Sequence, residues 1–211
     1  MMISNKAKAV QEYLDEILPN VGCELNYSKD YELLIAVVLS AQTTDKSVNL
    51  VTPNLFSRYK SLEELANADV KDVEDIIKSI GLYKNKARNI VELAKVLVAK
   101  YNGHVPEDKE QLVTLPGVGN KTAGVTRLEL FNVPELPVDT HVARIAKRLK
   151  FASKNDEPIE IEKKLKKAFP KENWCKLHHQ FIHFGRYICL ARNPHCESCK
   201  IKEFCSEKHD K

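Results

Sequence analysis

The sequence has no long apolar segment, no internal repeat and no low-complexity stretch. Its longest uninterrupted apolar run, at 33–39, is far shorter than the roughly 20 residues that a membrane-spanning helix needs. Charged residues interrupt the N-terminal segment MMISNKAKAVQEYLDEIL, which therefore lacks the apolar core of a secretory signal peptide. These absences argue against a membrane protein and a secreted one. We expect a cytoplasmic protein with no membrane partner.

Alternation of apolar and polar residues, the pattern of a half-buried strand, is also scarce, even beside Asn102-Gly103, whose composition suits a hairpin turn. Helical spacing is common instead, and residues 87–98 place their apolar side chains on one face. The run at 31–40 is ambiguous by periodicity, and Asp30 as a possible N-cap favours a buried helix. We therefore predict an all-α fold. Further amphipathic helices are predicted near 5–18, 45–59, 138–149, 157–169 and 173–188.

The length of 211 residues allows one large domain or two small ones, and an apolar content of 43% is ordinary for a globular protein. Two prolines make the segment NVPELP, at 132–137, the best candidate for a crossing between two lobes. Residues 1–143 carry 16 Lys/Arg and 20 Asp/Glu, whereas residues 144–211 carry 17 and 9. This basic C-terminal third suits a polyanion such as nucleic acid, and a solvated lysine-rich surface fits the charge equally well.

Four of the six cysteines form a compact C-x6-C-x2-C-x5-C motif, in a chain without a secretion signal. Cysteines in such a setting favour a metal site over disulfides. Zinc and iron–sulfur clusters both accept four thiolates, but one C-x2-C between single cysteines differs from the paired knuckles usual for zinc. The spacing leans towards iron–sulfur and leaves zinc open. The motif consists of Cys189, Cys196, Cys199 and Cys205; Cys23 and Cys175 are expected to be ordinary buried residues.

A tight turn and a lysine stand together in the stretch LPGVGNKTAG. It fits a plain helix–turn–helix connection, because Pro116 fixes φ while Gly117 and Gly119 permit positive φ. A Walker phosphate loop is excluded, because Asn120 stands where that motif has glycine and no strand precedes it. The third interpretation is a helix-hairpin-helix. There the glycines let backbone N–H groups approach a phosphate, which also meets the N-terminus of the next helix.

If backbone groups hold the phosphate, Lys121 is free for chemistry as a nucleophile. The neutral amine is the reactive form, and the N-terminal end of a helix and burial both favour it. An adjacent base can also take the proton. Asp139, in LPVDTHVAR, is the candidate base, and an N-cap role before the next helix explains it as well. His141 fits either a DNA contact or a helix surface.

Taken together, these motifs resemble the endonuclease III family of DNA glycosylases. The resemblance covers essentially the whole chain, including LLIAVVLSAQTTD, SIGLYKNKARNI, LPGVGNKTA, VDTHVARIAKRL and HHQFIHFGRYICLAR. It implies a [4Fe–4S] cluster held by the four cysteines of a loop at 189–205. It also implies two α-helical lobes with DNA in the groove between them. The expected lobes are a helical barrel domain at 23–132, with a helix-hairpin-helix at about 107–131, and an iron–sulfur domain of 1–22 plus 133–211.

The same resemblance implies a bifunctional DNA repair enzyme. It would remove oxidised pyrimidines as an N-glycosylase and cleave 3′ to the abasic site by β-elimination, through a Schiff base on Lys121 with Asp139 essential. The expected substrate is double-stranded DNA with oxidised pyrimidines or abasic sites, bound by a monomer that is associated with the nucleoid through DNA. Gln42 and Leu82 match the residues that fill the gap left by the flipped nucleotide. The implied DNA contacts are Gln42, Leu82, Gly117, Val118, Gly119, His141 and Arg192.

Two stretches depart from the family pattern. Positions in the cluster loop that are often basic are Asn193 and His195 here, which predicts a weaker grip on phosphate. The helix after the hairpin is more polar than expected of relatives because it contains Gly124, Arg127 and Glu129, and its glycine lowers the helix propensity.

Three alternatives remain at this point. An adenine-DNA glycosylase-like, monofunctional enzyme shares the hairpin and the cluster but typically has serine where Lys121 stands. A non-catalytic DNA-binding module with a structural metal would need only backbone amides, so Lys121 and Asp139 argue against it. An electron carrier with a [4Fe–4S] centre fits poorly with so large a helical body.

Overall fold

The computed structural model describes residues 3–207, and every regular element within them is helical. The predicted all-α fold class is therefore confirmed. The α-helices are α1 (Asn5–Ile17), α2 (Asp30–Leu39), α3 (Asp45–Arg58), α4 (Leu62–Ala66), α5 (Val70–Ile77), α6 (Tyr83–Tyr101), α7 (Lys109–Leu112), α8 (Asn120–Phe131), α9 (Thr140–Arg148), α10 (Pro158–Ala168) and α11 (Trp174–His183). None of the helices within 3–207 combines the length and apolar content that crossing a bilayer requires.

Side-chain caps explain where most of these helices begin. The side chains of Ser4, Thr44, Ser61, Asp69, Asp108 and Asp139 accept a backbone N–H from the first turns of α1, α3, α4, α5, α7 and α9. The capping role predicted for Asp30 was wrong, because Lys29 is the N-cap of α2 and Asp30 is its first helical residue. There the Glu32 carboxylate accepts from the backbone N–H groups of Ser28 and Lys29.

The chain divides into two compact units. We call Glu24–Phe131 the hairpin unit, and the described residues of Met1–Cys23 and Asn132–Lys211 the cysteine unit. Residues 1–2 and 208–211, which the predicted iron–sulfur domain includes, lie outside the described residues.

In the hairpin unit, α2 is the most buried element. Nine of its ten residues are buried, and it packs against α3, α6 and α8. Contact with helices on several sides explains why its sequence is apolar all round and shows no clear period. The predicted apolar face of α6 is also observed. Five of its residues are fully buried: Ala87, Ile90, Val91, Ala94 and Leu97.

In the cysteine unit, α1, α9, α10 and α11 share one core, with Leu14, Ile145, Leu165 and Phe181 at its centre. The helix predicted at 173–188 is interrupted: α11 ends at His183, and a π-helical turn spans Phe184–Ile188. Such turns displace the following backbone and are frequent near functional sites. Here the turn leads directly into the first cysteine of the motif.

Candidate functional site

The hairpin lies in the connection between α7 and α8. The N–H of Val118 donates to the carbonyl of Leu115 at 3.1 Å and closes the turn. Gly117 has a φ of 78°, and a Cβ added to it would lie 3.1 Å from side-chain atoms of both Asn89 and Val38. Both the dihedral angle and the tight packing therefore favour glycine at position 117.

Gly119 serves a different purpose. Its φ is not positive, so the conformational freedom that glycine permits is not used there. A Cβ added there would meet no atom within 4 Å, and the residue is exposed. The missing side chain leaves the backbone at the start of α8 open to an approaching group.

Lys121 follows as the second residue of α8. Its side chain is exposed, so of the two factors that favour the neutral amine only the helix N-terminus applies here. Within residues 3–207 no hydrogen bond or ion pair engages its amine. The structure thus presents a lysine on the first turn of a helix, beside open backbone, with its amine available to an incoming molecule.

The polar residues that distinguish α8 have structural partners. The guanidinium of Arg127 donates to the carbonyl of Glu107 at 3.0 Å, which ties α8 to the segment before α7. The Thr126 hydroxyl donates to the carbonyl of Thr122 at 2.9 Å within the helix. Gly124 is buried and does not interrupt the helix.

Gln42 and Leu82 lie in two other loops of the hairpin unit. Gln42 stands between α2 and α3, and Leu82 is the N-cap of α6. Both have left-handed backbones, with φ of 54° and 58°, and Leu82 is 59% exposed. A large apolar side chain held outwards on a constrained backbone is suited to entering a partner molecule.

In the cysteine unit, Asp139 begins α9. Its Oδ1 accepts from the N–H of Val142 at 2.7 Å, so the capping interpretation is correct as far as it goes. The cap uses one carboxylate oxygen, and the half-buried side chain retains a second one for other work.

His141 packs against the π-helical turn. A Cβ added to Gly185 would lie 3.0 Å from the Cβ of His141, a closer contact than most Cβ atoms make, so the packing favours glycine at that point of the turn. The guanidinium of Arg144 donates to the Gly185 carbonyl at 2.6 Å. Burial lowers the pKa of the His141 imidazole, although the nearby Asp139 carboxylate acts in the opposite direction. The lowered pKa favours the neutral ring near pH 7.

The four cysteines of the motif line one pocket in this unit, together with Phe184, Ile188 and Ile201. Among the residues that the structure describes, no three His, Cys, Asp or Glu side chains are grouped around a single metal-ion position. Burial raises the pKa of the Cys189 and Cys199 thiols, so a thiolate set here needs positive charge nearby. The donor set of four thiols around one pocket fits a thiolate-bound iron–sulfur cluster.

Arg148 supplies such a charge, and the sequence reasoning missed it. Its guanidinium donates to Sγ of Cys189 at 3.2 Å and to the carbonyl of Leu190 at 2.7 Å. A further N–H reaches the Ala191 carbonyl at 3.2 Å. Arg144 and Arg148 are four residues apart on α9, a spacing that places both on one helix face and could have been noticed.

The loop between the first two cysteines explains one departure from the family pattern. Arg192 is exposed, and Asn193 beside it has a φ of 51°. Asparagine adopts this left-handed conformation more readily than lysine or arginine does. The backbone of the loop therefore favours the residue that is present over the basic one expected there.

Comparison with known proteins agrees with this geometry. Residues 35–171 match the HhH-GPD superfamily base excision DNA repair protein family, and residues 189–205 match the iron–sulfur binding domain of endonuclease III. The endonuclease III of Bacillus subtilis (strain 168) is 46% identical over 97% of this chain and 95% of its own length. That of Escherichia coli (strain K12) is 44% identical, with 97% of each chain covered.

A solved structure of a trapped endonuclease III–DNA covalent intermediate superposes with a TM-score of 0.93. It is 46% identical to this chain and covers 98% of it and 97% of its own length. The match of the iron–sulfur domain, on the four cysteines that line the pocket, makes this a [4Fe–4S] protein. With its fold, its hairpin and its near-complete alignment in agreement, the chain belongs to the endonuclease III family of the HhH-GPD superfamily of base excision DNA repair proteins.

Proposed function

We propose that Lys121 is the nucleophile and Asp139 the proton-transferring carboxylate of this DNA glycosylase and AP lyase. The observation that carries the proposal is the placement of Lys121. It is exposed on the first turn of the 12-residue helix α8, two residues after the open backbone of Gly119. An amine that served only to pair with a neighbouring carboxylate would have a partner, and within the described part of the chain it has none.

The chemistry follows from these two groups. The neutral amine of Lys121 attacks C1′ of a nucleotide flipped out of the duplex, and the bond from C1′ to the base breaks as the new bond forms. The base leaves with the bonding electron pair and is protonated. Asp139 stabilises the positive charge that develops on the sugar and accepts the proton that the attacking amine loses.

Strand cleavage uses the same covalent bond. Ring opening gives a protonated imine between Lys121 and C1′, which acidifies the proton on C2′. Removal of that proton by a base expels the 3′ phosphate by β-elimination, and hydrolysis of the imine then returns the free amine. The lysine is therefore needed for both activities, whereas a monofunctional enzyme needs only an activated water molecule.

The DNA contacts come from backbone groups and a few side chains. We assign phosphate binding to the hairpin backbone at Gly117, Val118 and Gly119, before the N-terminus of α8. The N–H groups of Gly117 and Gly119 are the proposed donors, because the N–H of Val118 closes the turn, and the helix dipole favours an anion there. Gln42 and Leu82 fill the space of the flipped nucleotide, and His141 and Arg192 contact DNA from the cysteine unit. We assign the two functional domains as 23–132 and as 1–22 plus 133–211.

The cluster is held by Cys189, Cys196, Cys199 and Cys205. When bound, it cross-links four points of the C-terminal loop and supplies no electrons to the reaction above. Arg148 offsets the negative charge of the thiolate set. It also fixes the backbone at Leu190 and Ala191, which immediately precede the exposed Arg192.

The proposed substrates are oxidised pyrimidines and abasic sites in double-stranded DNA, acted on by a monomer in the cytoplasm, at the nucleoid. The comparisons do not favour a monofunctional adenine glycosylase, a non-catalytic binding module or an electron carrier. The lysine at position 121 distinguishes the chain from the first of these.

Borohydride trapping tests the proposal directly. Native protein is mixed with a duplex that carries one abasic site, and borohydride reduces any imine to a stable adduct. We expect an adduct with native protein and none with Lys121→Gln. Lys71→Gln is the matched control, because Lys71 is also an exposed second residue of a helix, α5. An adduct that persists in Lys121→Gln at the native rate would refute the assignment of the nucleophile.

A further inference from the structure

A buried lysine connects the two loops from which Gln42 and Leu82 project. Lys86 lies on the first turns of α6 and is only 5% exposed. Its amine donates to the Thr43 hydroxyl at 2.6 Å, 43 positions earlier in the chain. Its backbone N–H donates to the carbonyl of Leu82 at 3.0 Å. One residue thus contacts Leu82 itself and the immediate neighbour of Gln42.

The two connected loops share an unusual backbone. Gln42 and Leu82 are both non-glycine residues with positive φ, a conformation that L-residues avoid and that persists only where surrounding contacts impose it. Both residues are exposed, so their own side chains are not held by packing. The bond from Lys86 to Thr43 is a contact that fixes one strained loop against the other.

Stability alone does not explain an ammonium group at this position. Burial lowers the pKa of Lys86, which means that its charged form is held at a cost. Among the described residues the Thr43 hydroxyl is the acceptor of its amine, although an ammonium carries three donors. The N-terminal end of α6 also disfavours positive charge. An apolar side chain of similar length would fill the same space without these costs.

We propose that Lys86 is a positioning residue that holds Gln42 and Leu82 at a fixed separation, through its bond to Thr43, so that both side chains enter the gap left by a flipped nucleotide together. This inference rests on the proposed function, from which it takes the insertion of these two side chains into DNA. It predicts that loss of the bond weakens binding to gapped or abasic DNA and leaves binding to intact duplex unchanged. The phosphate contacts of the hairpin do not depend on Lys86.

The test compares two duplexes, one intact and one with a single tetrahydrofuran abasic analogue, which has no hydroxyl or base at C1′ and so cannot form an imine. A 2-aminopurine opposite the analogue reports unstacking when side chains are inserted. We expect Lys86→Met to reduce the preference for the abasic duplex about tenfold, the effect of losing one buried hydrogen bond to a charged group. The 2-aminopurine signal should fall with it.

Thr43→Val removes the acceptor and should reduce the preference for the abasic duplex as much as Lys86→Met does. Thr43→Ser keeps a hydroxyl at this position and should therefore show the native preference. The double variant should lose no more than either single one, because both remove the same contact. Lys95→Met is the control: it changes an exposed lysine of the same helix, paired with Glu92, and should behave as native protein.

The outcomes separate this inference from the function beneath it. If native protein does not prefer the abasic duplex, the assignment of Gln42 and Leu82 fails and this inference fails with it. If native protein shows the preference and Lys86→Met and Thr43→Val retain it, only the role of Lys86 is overturned. An equal loss of affinity for both duplexes, or a loss that Thr43→Ser does not restore, also overturns it, since it would indicate a general structural role.

Discussion

Two glycines of the hairpin, two residues apart, have separate physical roles. Gly117 is favoured by its φ of 78° and by the side chains of Asn89 and Val38, which would crowd a Cβ at 3.1 Å. Gly119 has room for a side chain and an ordinary backbone, so the folded protein alone does not require glycine there. The absence of a side chain at Gly119 instead allows a partner molecule to approach the backbone at the start of α8.

Alanine at the two positions should therefore affect different properties, stability at position 117 and DNA binding at position 119. Gly117→Ala should lower the free energy of unfolding by about 1–3 kcal/mol, because it combines left-handed strain with a close contact. Gly119→Ala should change stability by less than about 0.5 kcal/mol and weaken binding to intact duplex. Urea denaturation measures the first effect and a fluorescence-anisotropy titration the second. Equal loss of stability in both variants would contradict this division of roles.

At this scale the sequence indicated the candidate catalytic residues more readily than the contacts that surround them. Lys121 and Asp139 could be selected because each follows a short, recognisable pattern. The link between Lys86 and Thr43 could not, because it joins residues 43 positions apart and depends on how α6 packs beside α2. The exposure of Lys121 could not be predicted for the same reason, since exposure is a property of the folded chain.

Helix α9 joins the two functions of the cysteine unit. It begins with Asp139, whose carboxylate caps it, and ends with Arg148, whose guanidinium holds Cys189. Between them Arg144 donates to the Gly185 carbonyl on the π-helical turn. A single nine-residue helix therefore fixes the proposed catalytic carboxylate at one end and the cysteine loop at the other.

The capping and catalytic roles of Asp139 can be separated by substitution. Asparagine caps helices about as well as aspartate, so Asp139→Asn should keep the stability of native protein within about 0.5 kcal/mol. It lacks the charge and basicity, and base excision should fall at least about 100-fold. Asp139→Ala should lose similar activity and a further ~1 kcal/mol of stability, since the cap is also lost.

Single-turnover excision and thermal unfolding of the three proteins provide the two readouts. The assignment predicts that activity follows the charge and that stability follows the cap. If Asp139→Asn excised damaged bases at the native rate while Asp139→Ala did not, Asp139 would be a capping residue alone.

Helix periodicity predicted most elements and failed at two kinds of place. The amphipathic helices α1, α6 and α10 were evident because one face of each is apolar. The π-helical turn at Phe184–Ile188 was not evident from the sequence, because its apolar pattern continues that of α11. The close approach of Gly185 to His141 arises only in the folded chain. The N-cap of α2 was misplaced by one residue: it is Lys29, and the Glu32 carboxylate accepts from the N–H groups of Ser28 and Lys29 just before the helix.

Across the whole molecule, positive charge is concentrated in one part of the chain. Residues 144–211 carry 17 Lys/Arg against 9 Asp/Glu, and those of them that the structure describes lie in the cysteine unit. Several of these cations have internal partners, including Lys164 with Asp156 and Lys166 with Glu135. The net charge therefore overstates the number of cations available to DNA, and an exposed residue such as Arg192 is a better indicator of phosphate contact.

The salt dependence of DNA binding should count those contacts. Each neutralised phosphate adds about 0.9 to the slope of log affinity against log salt concentration, so Arg192→Ala should reduce the slope by about one. His195→Lys, which places a cation in the same exposed loop, should raise it by about one. Lys95→Ala should leave the slope unchanged, because Lys95 pairs with Glu92 on the surface of α6. Anisotropy titrations of one intact duplex at four salt concentrations would give all the slopes. An unchanged slope in Arg192→Ala would mean that the cluster loop does not touch the phosphate backbone, and that the hairpin supplies the anchoring contacts by itself.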